Sequence, residues 1–176
     1  HRGAVESCPE CETRPPAFIE ASCAVAKYGD QVRAVILGLK FGGGLQAVPL
    51  LRRLLITRLH DTHLLDGLNG WAVTPVPLAR RARSQRGFNQ SEELAAGLAS
   101  AFALRHEPKL LRKVRETEPQ ATLDHMERAE NLRGVFAADE CLAQSYEKTG
   151  VLLVDDVMTT GATLSECART LHAAGV

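Results

Sequence analysis

The sequence predicts an α/β fold, a mainly parallel sheet flanked by helices, from two features of its 176 residues. Short apolar runs with strand composition alternate with longer segments whose apolar residues recur at helical spacing, the order that a parallel sheet requires. The last apolar run, VLLV at 151–154, ends in two adjacent acids, Asp155 and Asp156, before a threonine-rich loop opens a further helical pattern. In open parallel sheets, ligands bind beyond the carboxyl ends of the strands, and that is where these acids fall.

Residues 8–17 (CPECETRPPA) combine Cys, Pro and Glu and predict a small irregular module, so 1–21 are read apart from an α/β domain of 22–176. SCAVAKY at 22–28 has the composition of a short strand. Asp30 is an N-cap candidate for a helix in which Val32, Val35, Ile36 and Leu39 share a face, closed by the breaker Gly42-Gly43-Gly44. Val48, Leu51, Leu55 and Leu59 predict a second helix. WAVTPV at 71–76 reads as a strand whose pairing stops at Pro75 and Pro77, because proline has no N–H for the ladder. Arg80, Arg81, Arg83 and Arg86 then fill a loop that leads to a helix near 90–105, with Leu94, Leu98 and Phe102 facing inward. Beyond it, 109–114 is expected as a strand, 117–134 as a polar loop with room for one helix, and 150–155 as a buried strand. Leu164, Ala168 and Leu171 mark the closing helix.

Apolar residues make up 45% of the chain and charged ones 24%, the balance of an ordinary globular protein. Lys plus Arg and Asp plus Glu number 21 each, so bulk charge points to neither nucleic acid nor membrane as a partner. No run approaches the roughly 18 apolar residues of a membrane span, and no secretory signal opens the chain. Five scattered cysteines are too few for a disulfide scaffold, which makes a cytoplasmic protein the simplest expectation. The chain opens on His1 and stops at Gly175-Val176, where a helix would pass to another strand, so both ends read as trimmed.

The chemistry lies in VLLVDDVMTTGATLSE at 151–166. The loop enters a helix whose first N–H groups lack intrahelical partners and carry partial positive charge. Gly161 permits backbone angles that turn amides inward, Ala162 keeps the approach open, and Thr159, Thr160 and Thr163 add hydroxyl donors. Together these make a nest for a phosphate monoester. Asp155 and Asp156 do the reverse, accepting hydrogen bonds from hydroxyls directly or through a bound Mg²⁺. A phosphate site beside a diol-binding acid pair describes a 5-phosphoribosyl group. A P-loop is excluded because no lysine follows Gly161, and a response-regulator receiver because its acidic pair lies near the N-terminus. The bland alternative is that the two acids cap a turn.

VLLVDDVMTTGAT resembles the phosphoribosyl-diphosphate (PRPP) signature of type I phosphoribosyltransferases. LKF at 39–41, TPVPLARRARSQRGFNQS at 74–91 and RETEPQATLDHMERAENLRGVF at 115–136 narrow the likeness to the ComF family of competence-associated proteins, GntX-type members included. The resemblance implies a type I phosphoribosyltransferase-like, Rossmann-like sheet with a small hood. It also implies a remnant of an N-terminal zinc ribbon and a domain cut short at its C-terminus. The 5-phosphate would lie on Thr159, Thr160, Gly161, Ala162 and Thr163, with Asp155 and Asp156 on the ribose as the catalytic pair. The pyrophosphate would lie on the loop of Pro75, Val76 and Pro77, with Arg86 nearest the site. Arg80, Arg81 and Arg83 either add to that site or form a solvated basic face. With Phe88 as a stacking residue they would instead line a groove for single-stranded DNA. Lys40 either reaches a phosphate or faces the end of its helix. Residues 112–131 would be the hood loop that closes over PRPP; Arg112, Lys113 and Arg115 supply charge, and Thr117, Gln120, Arg128 and Asn131 match the family pattern. Cys8 and Cys11 are half of a zinc site, which needs four ligands, and Cys23 is either a third ligand or a buried thiol. Bound Zn²⁺ is therefore expected of a fuller chain rather than of this one.

Two functions follow from the resemblance. One is a glycosyltransferase of the phosphoribosyltransferase class that binds PRPP with Mg²⁺ and passes the phosphoribosyl group to a nucleobase or amine, releasing pyrophosphate. The other is a phosphoribosyl-binding or scaffold module without turnover, acting with DNA-uptake proteins or on single-stranded DNA.

Overall fold

The computed structural model describes residues 18–41, 45–117 and 131–176, with the backbone alone for Asp30, Lys40 and Phe41. Helix α1 runs Asp30–Phe41, and a 3-10 turn at Leu45–Ala47 leads into α2, Val48–Thr62. Strand β1 is Ala72–Pro75, followed by the short helix α3, Arg80–Arg86, and by α4, Gln90–Ala101. Strands β2 (Arg105–His106), β3 (Leu111–Lys113) and β4 (Phe136–Ala138) come next. Helix α5 (Glu140–Gln144), strand β5 (Val151–Val154) and helix α6 (Ala162–Ala173) complete the described elements.

The fold is α/β, with a three-stranded parallel sheet in the order β2-β1-β5 and helices on both faces. Ala72 and Val73 of β1 have no exposed surface, as expected of a central strand. One face packs Val73 and Val154 against Leu59, Leu65, Leu94, Leu98 and Ala99 from the α2–α4 side. The other packs Ala72 and Val76 against Cys167 and Leu171 of α6, with Leu111, Phe136 and Tyr146. Strands β3 and β4 form a separate antiparallel pair, Arg112 opposite Ala137. Among the described residues, no helix is long and apolar enough to cross a membrane.

Four expectations change. Residues 22–28 form no strand; most of that segment is exposed and it lies against no neighbouring strand edge. The four arginines do not sit in a loop but on α3, where Arg, Ala and Gln are good helix formers and Gly87, at φ 81°, closes the helix. The helix expected to reach residue 105 stops at Ala101: Ala103 turns left-handed at φ 52°, and Leu104 N donates back to Ala99 O at 2.9 Å. That cap normally uses glycine, so nothing in the pattern announces it. The strand expected at 109–114 is present as β3, but it belongs to the antiparallel pair, and the edge of the parallel sheet is β2 at 105–106, where the helix was expected to end. Cys8, Cys11, Gln120 and Arg128 lie outside the described residues, as does the side chain of Lys40.

Candidate functional site

Strand β5 brings Val154 opposite Pro75 in register, so the two strands end side by side. Val76 N donates to Val154 O at 2.8 Å, which carries the pairing one residue past the strand. The chain after β1 and the chain after β5 therefore leave the sheet together. Between them lies a cavity of about 510 Å³ lined in part by Val76, Pro77, Arg81, Arg86, Lys113, Thr117, Asp155 and Asp156. A second, smaller cavity of about 180 Å³ is lined by Thr159, Gly161, Ala162 and Thr163, and by Asp155. Asp155 borders both.

The small cavity is formed by the entry to α6. Gly161 is its N-cap residue at φ 76°, a left-handed angle that side-chain-bearing residues adopt only under strain. No heavy atom lies within 4 Å of where a Cβ would stand, so the requirement there is for the angle and not for space. The N-cap residue itself, a glycine, offers no side chain to cap α6. Thr160 differs from the other loop threonines: it is absent from the lining, and its Oγ1 accepts a long hydrogen bond from Ala162 N at 3.4 Å.

The larger cavity has an acidic floor and basic sides. Asp155 Oδ1 accepts from Asp156 N at 2.8 Å and from Ser91 Oγ at 3.1 Å. Arg86 sits in the last turn of α3, its guanidinium 3.5 Å from Gln90 Oε1. Lys113 reaches in from β3, with Nζ donating to Thr117 Oγ1 at 2.8 Å. Burial lowers its pKa below the ordinary lysine value, and Glu116 and Cys167 pull partly the other way. Among the described residues no group of three or more His, Cys, Asp or Glu side chains is placed to hold a metal by itself.

Of the predicted site residues, Asp155, Asp156, Val76, Pro77, Arg86, Lys113 and Thr117 meet at the larger cavity, and Thr159, Gly161, Ala162 and Thr163 at the smaller. Pro75 ends β1 buried and Arg112 is exposed; neither joins the lining. Asn89, Gln90, Ser91 and Glu116 do line the larger cavity without having been singled out in the sequence. The signal for the first three was an Asn immediately before a helical pattern, since Asn89 Oδ1 accepts from Ser91 N as the cap of α4.

The arrangement is that of an α/β domain with two cavities at the carboxyl ends of adjacent parallel strands, and sequence comparison gives it a family: the chain belongs to the ComF family. It is 30% identical over 165 residues to the DNA utilization protein YhgH of Escherichia coli (strain K12), covering 93% of this chain and 70% of that protein. To Competence protein F of Haemophilus influenzae it is 28% identical over 174 residues, 97% of this chain and 74% of the relative. To Competence protein ComFC of Bacillus subtilis (strain 168) the identity is 27% over 177 residues, covering 93% and 65%. No protein-family model and no solved structure matches the chain.

Proposed function

We propose that the chain is a phosphoribosyltransferase of the type I class. It would bind PRPP with Mg²⁺ and transfer the phosphoribosyl group to the nitrogen of a nucleobase or amine, in the service of DNA utilization or competence. The observation that carries the reading is the position of Asp155, on the wall shared by a threonine-and-amide pocket and a larger pocket flanked by Arg81, Arg86 and Lys113. A sugar phosphate with a diphosphate on its other end matches that order of chemistry: anion, diol, anion.

The 5-phosphate would take the amides and hydroxyls at the entry to α6. Asp155 and Asp156 would accept from the ribose 2- and 3-hydroxyls, and the guanidinium groups with Lys113 would hold the diphosphate. Two carboxylates suit Mg²⁺, which usually arrives on substrate phosphates and keeps several waters. When bound it would neutralise charge on the leaving diphosphate. In the transfer, the acceptor nitrogen forms a bond to C1 of the ribose as the C1–O bond breaks, and both electrons of that bond leave with pyrophosphate. The proton on the acceptor nitrogen passes to solvent. Positive charge gathers on the ring meanwhile, and the carboxylates stabilise it electrostatically. Holding donor and acceptor in line would supply much of the remaining acceleration.

A second reading keeps the PRPP site but not the turnover. Arg80, Arg81 and Arg83 of α3 are exposed, Arg83 paired with Glu92, and the relatives are named for competence and DNA utilization, so a single strand of DNA is a reasonable ligand for that surface. Titration calorimetry of PRPP with and without Mg²⁺, on the chain and on Asp155→Asn/Asp156→Asn, tests the shared site. We expect binding that the double variant loses; equal affinity in both would end the ribose assignment. Pyrophosphate release with a panel of bases and amines then selects the enzyme, and salt-sensitive DNA binding without release selects the second reading.

A further inference from the structure

Asn89, Gln90 and Ser91 are consecutive polar residues that are 5%, 2% and 4% exposed. Polar groups remain buried only where their hydrogen bonds are met. Here each is met on a different part of the fold. Asn89 Nδ2 donates to Val76 O at 3.1 Å, on the loop after β1. Gln90 Nε2 points to Leu39 O, near the end of α1, at 3.5 Å. Ser91 Oγ donates to Asp155 Oδ1 at 3.1 Å, and the same oxygen accepts from Asp156 N at 2.8 Å.

Two donors on one oxygen, approaching from different elements, hold the plane of the Asp155 carboxylate. Ser91 lies in the first turn of a twelve-residue helix, so the partial positive charge at the start of α4 also favours an anion there. Simple capping does not require this hydroxyl, because Asn89 already caps α4.

We propose that Ser91 is a positioning residue: its hydroxyl orients the Asp155 carboxylate toward the ribose hydroxyls, so that the helix α4 turn, and not β5 alone, sets the geometry of the sugar site. The inference rests on the PRPP reading above. It separates the ligands by chemistry. Those carrying the sugar, ribose 5-phosphate and PRPP, depend on Ser91, whereas inorganic pyrophosphate does not.

The test is titration calorimetry of these three ligands at fixed Mg²⁺ on wild type, Ser91→Ala, Ser91→Thr and Asp155→Asn, with thermal melting of each. We expect Ser91→Ala to weaken both sugar ligands about tenfold while pyrophosphate stays within about twofold, and Ser91→Thr, which keeps the hydroxyl, to restore most of the loss. Should Ser91→Ala melt early, Ser91→Cys keeps the volume with only a weak donor and is expected to show the same split. Equal weakening of all three ligands, no weakening at all, or no rescue by threonine overturns the role. If wild type binds no PRPP, the site reading fails and Ser91 with it. If wild type binds and Asp155→Asn binds equally well, the ribose assignment of Asp155 fails instead.

Discussion

Cys167 shows how far a residue's neighbours decide its chemistry. It lies fully buried on the inner side of α6, and burial, with the carboxylates of Asp155 and Glu166, pushes its thiol well above the ordinary 9.0; Lys113 opposes this less strongly. A folded-state pKa raised above the unfolded one means that the stability held by the thiol proton is complete below about 9. It is lost as pH rises from there toward the folded value, because the unfolded chain ionises first. Exposed Cys141 has no such protection. Alkylation with iodoacetamide at pH 8, mapped by mass spectrometry, should therefore label Cys141 in the native protein and Cys167 only in denaturant. Labelling of Cys167 at the native Cys141 rate would show that its burial is not maintained in solution.

Gly150 and Trp71 precede β5 and β1, the two strands whose ends carry the site, and they are in contact. Gly150 has φ 128°, and a Cβ there would stand 2.8 Å from Cη2 of the Trp71 ring. Gly150→Ala would thus meet both an unfavourable backbone angle and a clash with a large ring, at a combined cost of about 3 kcal/mol. Urea denaturation should show the midpoint falling with the slope unchanged; a variant as stable as wild type would mean that this contact is not made. At α4, by contrast, the start is held by side chains: Asn89 caps it, and Arg52 of α2 pairs with Glu93 at 2.8 Å. The half-exposed ion pair adds little, and the cap matters more.

At the scale of the molecule, β1 is the middle of the sheet, with β2 and β5 on its edges and packed layers above and below. Opening it means losing both layers at once, so its amides should exchange only through global unfolding. Native-state hydrogen exchange should find Val73 and Thr74 among the slowest amides, and residues 18–28, outside any helix or strand, among the fastest. Exchange in β1 as fast as in 18–28 would contradict the central placement of that strand. The same placement explains why the site is at this end: β1 and β5 finish in register, and the chain leaving each has nowhere to go except outward around a shared cavity.

Strand–helix alternation, the strand at VLLV, and the local chemistry of two acids before a glycine-threonine turn were all determined by the sequence alone, because each depends on residues within one or two turns of one another, whereas the full burial expected of that strand is met only at Val154. Membership of the ComF family was legible in the same way, from continuous motifs. Tertiary structure decided the rest. The split of residues 105–113 between two sheets depends on which edges were available, not on propensity. Helix α3 was hidden by its charge and by the prolines before it, and only the folded chain separates Arg81 and Arg86, which line the same cavity as Asp155, from Arg80 and Arg83, which do not. The hydrogen bond from Ser91 to Asp155 joins residues 64 apart in the chain, and no local pattern encodes a contact that exists only after α4 has packed on β1.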